Sequence, residues 1–378
     1  MGRYAYVGAL VLSIACAGLA AAQSVEIGRY VELPYGVGRG HPYGMTGADG
    51  RRSSRSLARA PRAAPRERWA TRLSERRLLP PAILADGTLA IGSASGVSAF
   101  DTNGKPLWKV RLGQVRFTPS VTPAGELLVA TYEGKLWLVE RGGRQRRLES
   151  RVALSGLPLV LDGGSVVIGA RDSQVHVLDL EGTELLRVPT GAREPFWTAS
   201  VGGGLLAVAG PERELVLLSL HAGRERVVKL PERVTQGLAV DDRSTVWLIG
   251  DQGTLFGVGA DGRFRATIPL GDRGSTPVAI GRDGALRLGL PTREVVCIGA
   301  DGRERWRRGI DGRPSAPLLD ADDTLLVLSA RGSLYAIDAR GELLWRVRVG
   351  VHQGSRPVLG ADGTIYLVGR DGLVKAVR

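Results

Sequence analysis

One hairpin, written several times at nearly constant spacing, limits what this chain can become. In residues 332–345, GSLYAIDARGELLW, Leu334, Ala336 and Asp338 alternate with Tyr335 and Ile337, the period of a strand whose two faces differ. Ala339, Arg340 and Gly341 then supply a turn before a second apolar run that ends in Trp345. The pattern recurs as AFDTNGKPLW from Ala99 to Trp108 and as CIGADGRERW from Cys297 to Trp306, with weaker copies from Val177 and Leu218. Self-similarity at a fixed period marks a repeat architecture, so the unit decides the fold before any single residue does.

Each unit opens on a short apolar strand at or after a proline, turns through a sequence such as Ala85-Asp86-Gly87, and runs into a second strand before the hairpin. Equivalent starts fall near Pro81, Pro119, Pro158, Ala199, Gln236, Pro277, Pro317 and Pro357, about 40 residues apart. Four strands at that period is a propeller blade. The sequence therefore predicts an all-β, eight-bladed β-propeller of four-stranded antiparallel blades. The 53 glycines, without collagen spacing, fit its many tight turns. Residues 361–378 align with 321–338 and lack a fourth strand, whereas Arg66-Glu67-Arg68-Trp69 align with Glu342–Trp345 and lack the first three. The N-terminal strand, Arg66 to about Ser74, is expected to complete the last blade, because an open ring would leave a ladder of backbone groups unpaired.

Ahead of the repeats, residues 1–22 read as a signal peptide: Arg3, an apolar core from Ala5 to Ala15, and Ala20-Ala21-Ala22 before Gln23. An uncleaved anchor is the alternative. Cys16 follows Ser13-Ile14-Ala15, a poor lipobox, so lipidation there stays a secondary reading. With the signal removed, Cys297 is left without a disulfide partner, and its repeat position, shared with Ala99 and Ala336, predicts a buried apolar role. Residues 23–65 form a Gly/Pro/Arg-rich lead-in, expected to be partly ordered at most, before a propeller over 66–378. Residues 1–65 carry five of the thirteen net positive charges, concentrated in Arg51, Arg52, Arg55, Arg59 and Arg62. That run reads either as a solvated linker or as a contact with an anionic membrane surface or other polyanion.

Trp69, Trp108, Trp306 and Trp345 share one repeat position on the outer strand, where a flat ring can cover the joint between blades. Blades two to five lack it, with Arg147, Leu186, Val227 and Ala266 near the place, so their joints are expected to be looser or differently packed. The string A-x-D-x-x-G-x-x-x-W resembles the tryptophan-docking repeat of pyrroloquinoline-quinone (PQQ) type propellers, a family holding quinoprotein alcohol dehydrogenases and the noncatalytic outer-membrane assembly propeller BamB. Residues 44–56, GMTGADGRRSSRS, resemble the lead-in before the first blade of many secreted members, which implies an ordered strap over the propeller.

For chemistry, the resemblance implies what an enzyme would need: Ca²⁺ held by carboxylate and amide oxygens beside the quinone, an Asp base, and adjacent cysteines in the alcohol-oxidising members. This chain has no adjacent cysteines, and its one asparagine, Asn103, lies in a blade turn. His41, His176, His221 and His352 show no metal-ligand or nucleophile spacing. Asp320 to Asp323 align with ordinary blade turns. The reading is a noncatalytic, exported scaffold in the periplasm or at the cell surface. It needs no cofactor, has envelope proteins as partners and binds no nucleic acid; membrane contact would come only through Cys16 or the basic lead-in. BamB-like assembly of outer-membrane proteins is one form of it; a PQQ-dependent dehydrogenase relative and a glycan- or surface-binding module are the alternatives. Arg193, Arg273 and Arg313, at matching places between blades, are the candidate interaction face, with an ordinary solvated basic surface as the other reading.

Overall fold

Asp338 shows why the repeated hairpin forms. Its Oδ1 accepts the backbone N–H groups of Arg340 at 2.9 Å and Glu342 at 2.8 Å, while the Gly341 N–H returns to the Asp338 carbonyl at 3.0 Å. Gly341 has φ 87°, a left-handed conformation that side chains disfavour. The turn joins Ser333–Ile337 to Leu343–Arg348 with Ala336 opposite Trp345. Asp101 builds the same turn by accepting from Asn103 and Lys105, and sets Ala99 opposite Trp108.

In the computed structural model, which describes residues 41–378 except 76, 162, 191–195, 221–223, 272 and 353–355, this hairpin is the outer half of each blade. The signal segment, Cys16, Arg193 and His221 lie outside the described residues. Eight four-stranded antiparallel sheets follow one another along the chain, and in seven the strands pair in chain order. The eighth is composite: Glu67–Arg72 pairs with Leu373–Val377, outside Ile365–Val368 and Val358–Leu359. Trp69 lies opposite Ala376, and Arg66 and Arg378 exchange both backbone hydrogen bonds at 2.8 Å. The ring closes as the offset of the repeats predicts.

The core sits between neighbouring blades. Leu325–Leu328 and Ser333–Ile337 are buried along their whole length, whereas Leu343–Arg348 turns a mostly exposed face outward. Each fully buried leucine on such a strand contributes about 1.5–3 kcal/mol. Basic side chains such as Arg147, Arg187, Arg265, Arg305 and Arg348 are carried on outer strands, so much of the positive charge sits on the rim.

First strands are short, often two residues as in Leu318–Leu319, because the blades taper toward the axis. Their inner edges would be left unpaired near the centre, where burial makes an unsatisfied N–H costly. The lead-in supplies the partners. Tyr43 O accepts from Ile83 N at 2.9 Å, Gly44 O from Val121 N at 2.6 Å, Gly50 O from Ser200 N at 2.8 Å and Arg51 O from Val240 N at 2.9 Å. Ser53 O then accepts from Ile280 N and Ser54 O from Leu319 N, both at 2.9 Å. The strap thus visits blades one, two, four, five, six and seven in chain order, and the Arg52 side chain reaches blade three at Pro158 O, 3.1 Å away. The boundary placed at residue 66 therefore falls inside one folded unit that includes residues 41–65.

Candidate functional site

The strap is tied to the inner strands by side chains as well as by backbone. Arg52, 7% exposed, donates from Nε to Thr198 O at 3.2 Å, from Nη1 to Thr46 O at 2.7 Å and from Nη2 to Pro158 O at 3.1 Å. Burial lowers its pKa to about 10 against the pull of Asp49, so it stays charged at neutral pH. Arg51 donates to Asp241 O at 3.1 Å and to Asp242 Oδ1 at 3.2 Å, and Arg55 lies 3.6 Å from the same carboxylate. Asp49 accepts from Ser53 N at 3.0 Å and from the Ser53 hydroxyl; burial raises its carboxyl above the ordinary range although both bonds oppose this. Ala48, Arg52 and Ser54 take φ of 72°, 59° and 55°. Three non-glycine residues in the left-handed region cost about 1–2 kcal/mol each, and the bonds to the inner strands offset that. The inner half of the basic run is thus turned into the protein rather than toward solvent or a polyanion, because the inner-strand carbonyls need donors. Arg59 and Arg62 remain exposed, both at Asp322.

What is left at the axis is a cavity of about 120 Å³, lined by Thr46, Arg52, Trp197, Gln236 and Arg356 among others.

The four repeat tryptophans lie at blade joints. The indole N–H of Trp69 donates to Thr102 O at 2.8 Å, that of Trp108 to Arg141 O at 2.5 Å, and that of Trp306 to Ala339 O at 3.0 Å. Each ring covers the glycine of the same turn: a Cβ added at Gly104 would stand 2.6 Å from the Trp69 ring, and one at Gly341 2.6 Å from Trp306. Where the tryptophan is missing, other side chains take the carbonyl or the space. Arg146 donates to Leu180 O at 2.8 Å, Arg226 donates to Asp261 O, and in blade five Trp247 has moved to the second strand, over Gly257. The joints at Arg146 and Arg226 are thus differently packed, whereas beside Ala266 a groove of about 300 Å³, lined also by Trp247, Ala300, Asp301 and Gly302, leaves that joint looser. The clue in the sequence was an arginine one residue before Arg147 and Val227.

At the opposite end of the strands, Arg273 and Arg313 are exposed on the loops between blades five and six and between six and seven. Arg273 donates to Gln252 Oε1. Arg313 faces a groove of about 410 Å³ whose far wall is Arg370, in the middle turn of blade eight, a residue the repeat pattern had not singled out. His41 is buried, with its pKa lowered chiefly by burial and then by Arg141. His176 lies between Glu184 Oε2 at 2.7 Å and Asp172 Oδ2 at 3.0 Å. Asp320 Oδ1 accepts from Asp322 N and Thr324 N, and its Oδ2 from Ala60 N at 3.0 Å, so it holds a turn and the strap. Cys297 is buried.

Residues 291–378 match a PQQ-repeat family model described as outer membrane protein assembly factor BamB. Among solved structures, BamB from Moraxella catarrhalis superposes with TM-score 0.64 at 19% identity, covering 84% of this chain and 98% of that one. The fold is an eight-bladed β-propeller, and residues 291–378 carry the PQQ-type repeat. Quinohemoprotein alcohol dehydrogenase from Comamonas testosteroni gives TM-score 0.70 at 14% identity over 95% of this chain and 84% of that chain. The computationally designed Ika8 protein gives 0.68 at 17%, over 81% of this chain and 98% of that chain. At such identities these likenesses speak for the fold alone. No curated protein matches the sequence.

The resemblance also brings quinone and Ca²⁺ into question. The residues at the axis of this propeller do not fit them. Arginines line the cavity where a hard cation would need converging oxygens, and about 120 Å³ is below the roughly 300 Å³ at which small-molecule sites begin.

Proposed function

We propose that this propeller is a noncatalytic scaffold, exported to the periplasm or cell surface, that docks envelope proteins on its faces and rim. The observation that carries this reading is the strap, which fills the axis and leaves the loop faces as the broad surfaces available to a partner. The match of residues 291–378 to the BamB family model supports an envelope setting, with outer-membrane protein assembly as its specific form. Affinity purification of the full chain from envelope fractions tests it: co-purification of a defined envelope protein is expected, and recovery of the chain alone from those fractions counts against it.

The second reading is a quinone-dependent oxidoreductase, the class of one protein that shares this fold. Incubation with PQQ and Ca²⁺ followed by absorbance and dye-reduction measurements separates the two. Stoichiometric quinone uptake with turnover overturns the scaffold.

A further inference from the structure

Arg313 and Arg370 are 57 positions apart in sequence and line one groove, between blades seven and eight on the face formed by the inter-blade loops. Pro314, Ser315, Leu328, Ser329 and Ala330 complete it. Both arginines are exposed, and among the described residues neither guanidinium has an ion pair or a side-chain hydrogen bond. The acids that could neutralise them are committed elsewhere. Asp371, next to Arg370, accepts from Arg72 Nη1 at 2.8 Å; Asp311, two residues before Arg313, accepts from Arg346 Nη2 at 2.5 Å and from Ser333 Oγ at 2.6 Å. The groove's two hydroxyls are also occupied, since Ser315 Oγ accepts from Leu328 N and Ser329 Oγ from Ser333 N. Among the described residues, two forked donors thus face a shared concavity with no side-chain acceptor of their own, beside exposed Arg293 and Arg331 on adjacent turns.

We propose that this groove binds an acidic polypeptide segment of a partner protein, with Arg313 and Arg370 each gripping a carboxylate. The proposal rests on the scaffold reading and names the partner's chemistry. A guanidinium presents two parallel N–H groups that match a carboxylate, and pairs of this kind supply orientation as well as affinity. The shape favours an extended chain over a lipid surface: the arginines stand on two sides of a concavity with apolar Pro314, Leu328 and Ala330 between them, and a planar bilayer would not enter it. A volume of about 410 Å³ suits a few residues of peptide.

The test uses the full chain and a fluorescently labelled hexaglutamate peptide, with hexaglutamine, inorganic phosphate and phosphatidylglycerol vesicles as the other arms. Hexaglutamate is expected to bind, to weaken as salt rises, and to lose about tenfold in affinity in R313E/R370E and nearly as much in R313Q/R370Q. Arg303→Glu, on an exposed turn at the other end of the strands, should change it less than about twofold. Unchanged peptide binding in the double variants, an equal loss in Arg303→Glu, or arginine-dependent binding of phosphate or vesicles without the peptide would each overturn the proposal. If envelope proteins still co-purify with R313Q/R370Q while hexaglutamate fails to bind the unaltered chain, the acidic-segment groove falls and the scaffold stands.

Discussion

The indole N–H of Trp345 donates to the carbonyl of Pro61 at 2.8 Å, across the gap where the other repeat tryptophans find the next blade's turn. Blade eight has no such turn, because its third and fourth strands come from opposite ends of the sequence. The strap stands in for it. Closure of the ring therefore depends on two joints: the Glu67–Arg72 strand and the Trp345–Pro61 contact.

Trp345→Phe removes that bond while keeping most of the ring. A loss of about 1 kcal/mol in urea unfolding is expected, together with faster proteolysis between residues 57 and 66. Trp306→Phe should cost a similar amount and leave cleavage in that segment unchanged. Equal cleavage rates in the two variants would contradict a fastening role for Pro61.

Arg52→Met strands two buried carbonyls and a half-buried one and removes a buried charge, so it should lower unfolding stability by about 3 kcal/mol. Arg303→Met, at an exposed turn, should stay within about 0.5 kcal/mol. Chemical denaturation monitored by tryptophan fluorescence measures both. A surface-like response at Arg52 would mean that the strap does not stabilise the ring.

Asp338 gives a pH dependence with a definite sign. Burial raises its carboxyl, but the bond from Glu342 N and the contacts of Arg340 outweigh that and hold it below the ordinary carboxylate range. A group depressed in the fold contributes stability that is present above its unfolded pKa, about 4, and lost as pH falls through the folded value. Asp338→Asn keeps the Oδ1 acceptor and cannot titrate, so its melting temperature should fall less than that of the unaltered chain between pH 5 and pH 2, in buffers set at those values. Parallel curves would rule out this turn as a contributor to acid lability.

Cys297 lies in the third strand of blade six, opposite Trp306, and burial pushes its thiol up. Peptide mapping after exposure to an aromatic disulfide reagent at neutral pH should find Cys297 unmodified in the native chain and fully modified in denaturant. Rapid native modification would show that the joint between blades six and seven opens readily.

The alternation along each strand, the Asp-x-x-Gly turns and the eightfold count were legible in the sequence because each is set by bonds within about ten residues of chain. Closure was legible too, since the offset that leaves Val377 without an outer neighbour also leaves Trp69 without an inner one. Arg51, Arg52 and Arg55 were not: a basic run reads the same whether it is solvated or buried, and only the assembled ring provides the converging inner-strand carbonyls that make burial favourable. For the same reason Arg146 and Arg226, although visible beside the tryptophan position, gain their docking role only in the ring, because the carbonyls they reach belong to the next blade. Local hydrogen bonding thus determined the blades from sequence alone. The filled axis and the Arg313–Arg370 groove were decided by the tertiary structure, which brings residues far apart in the chain around one centre.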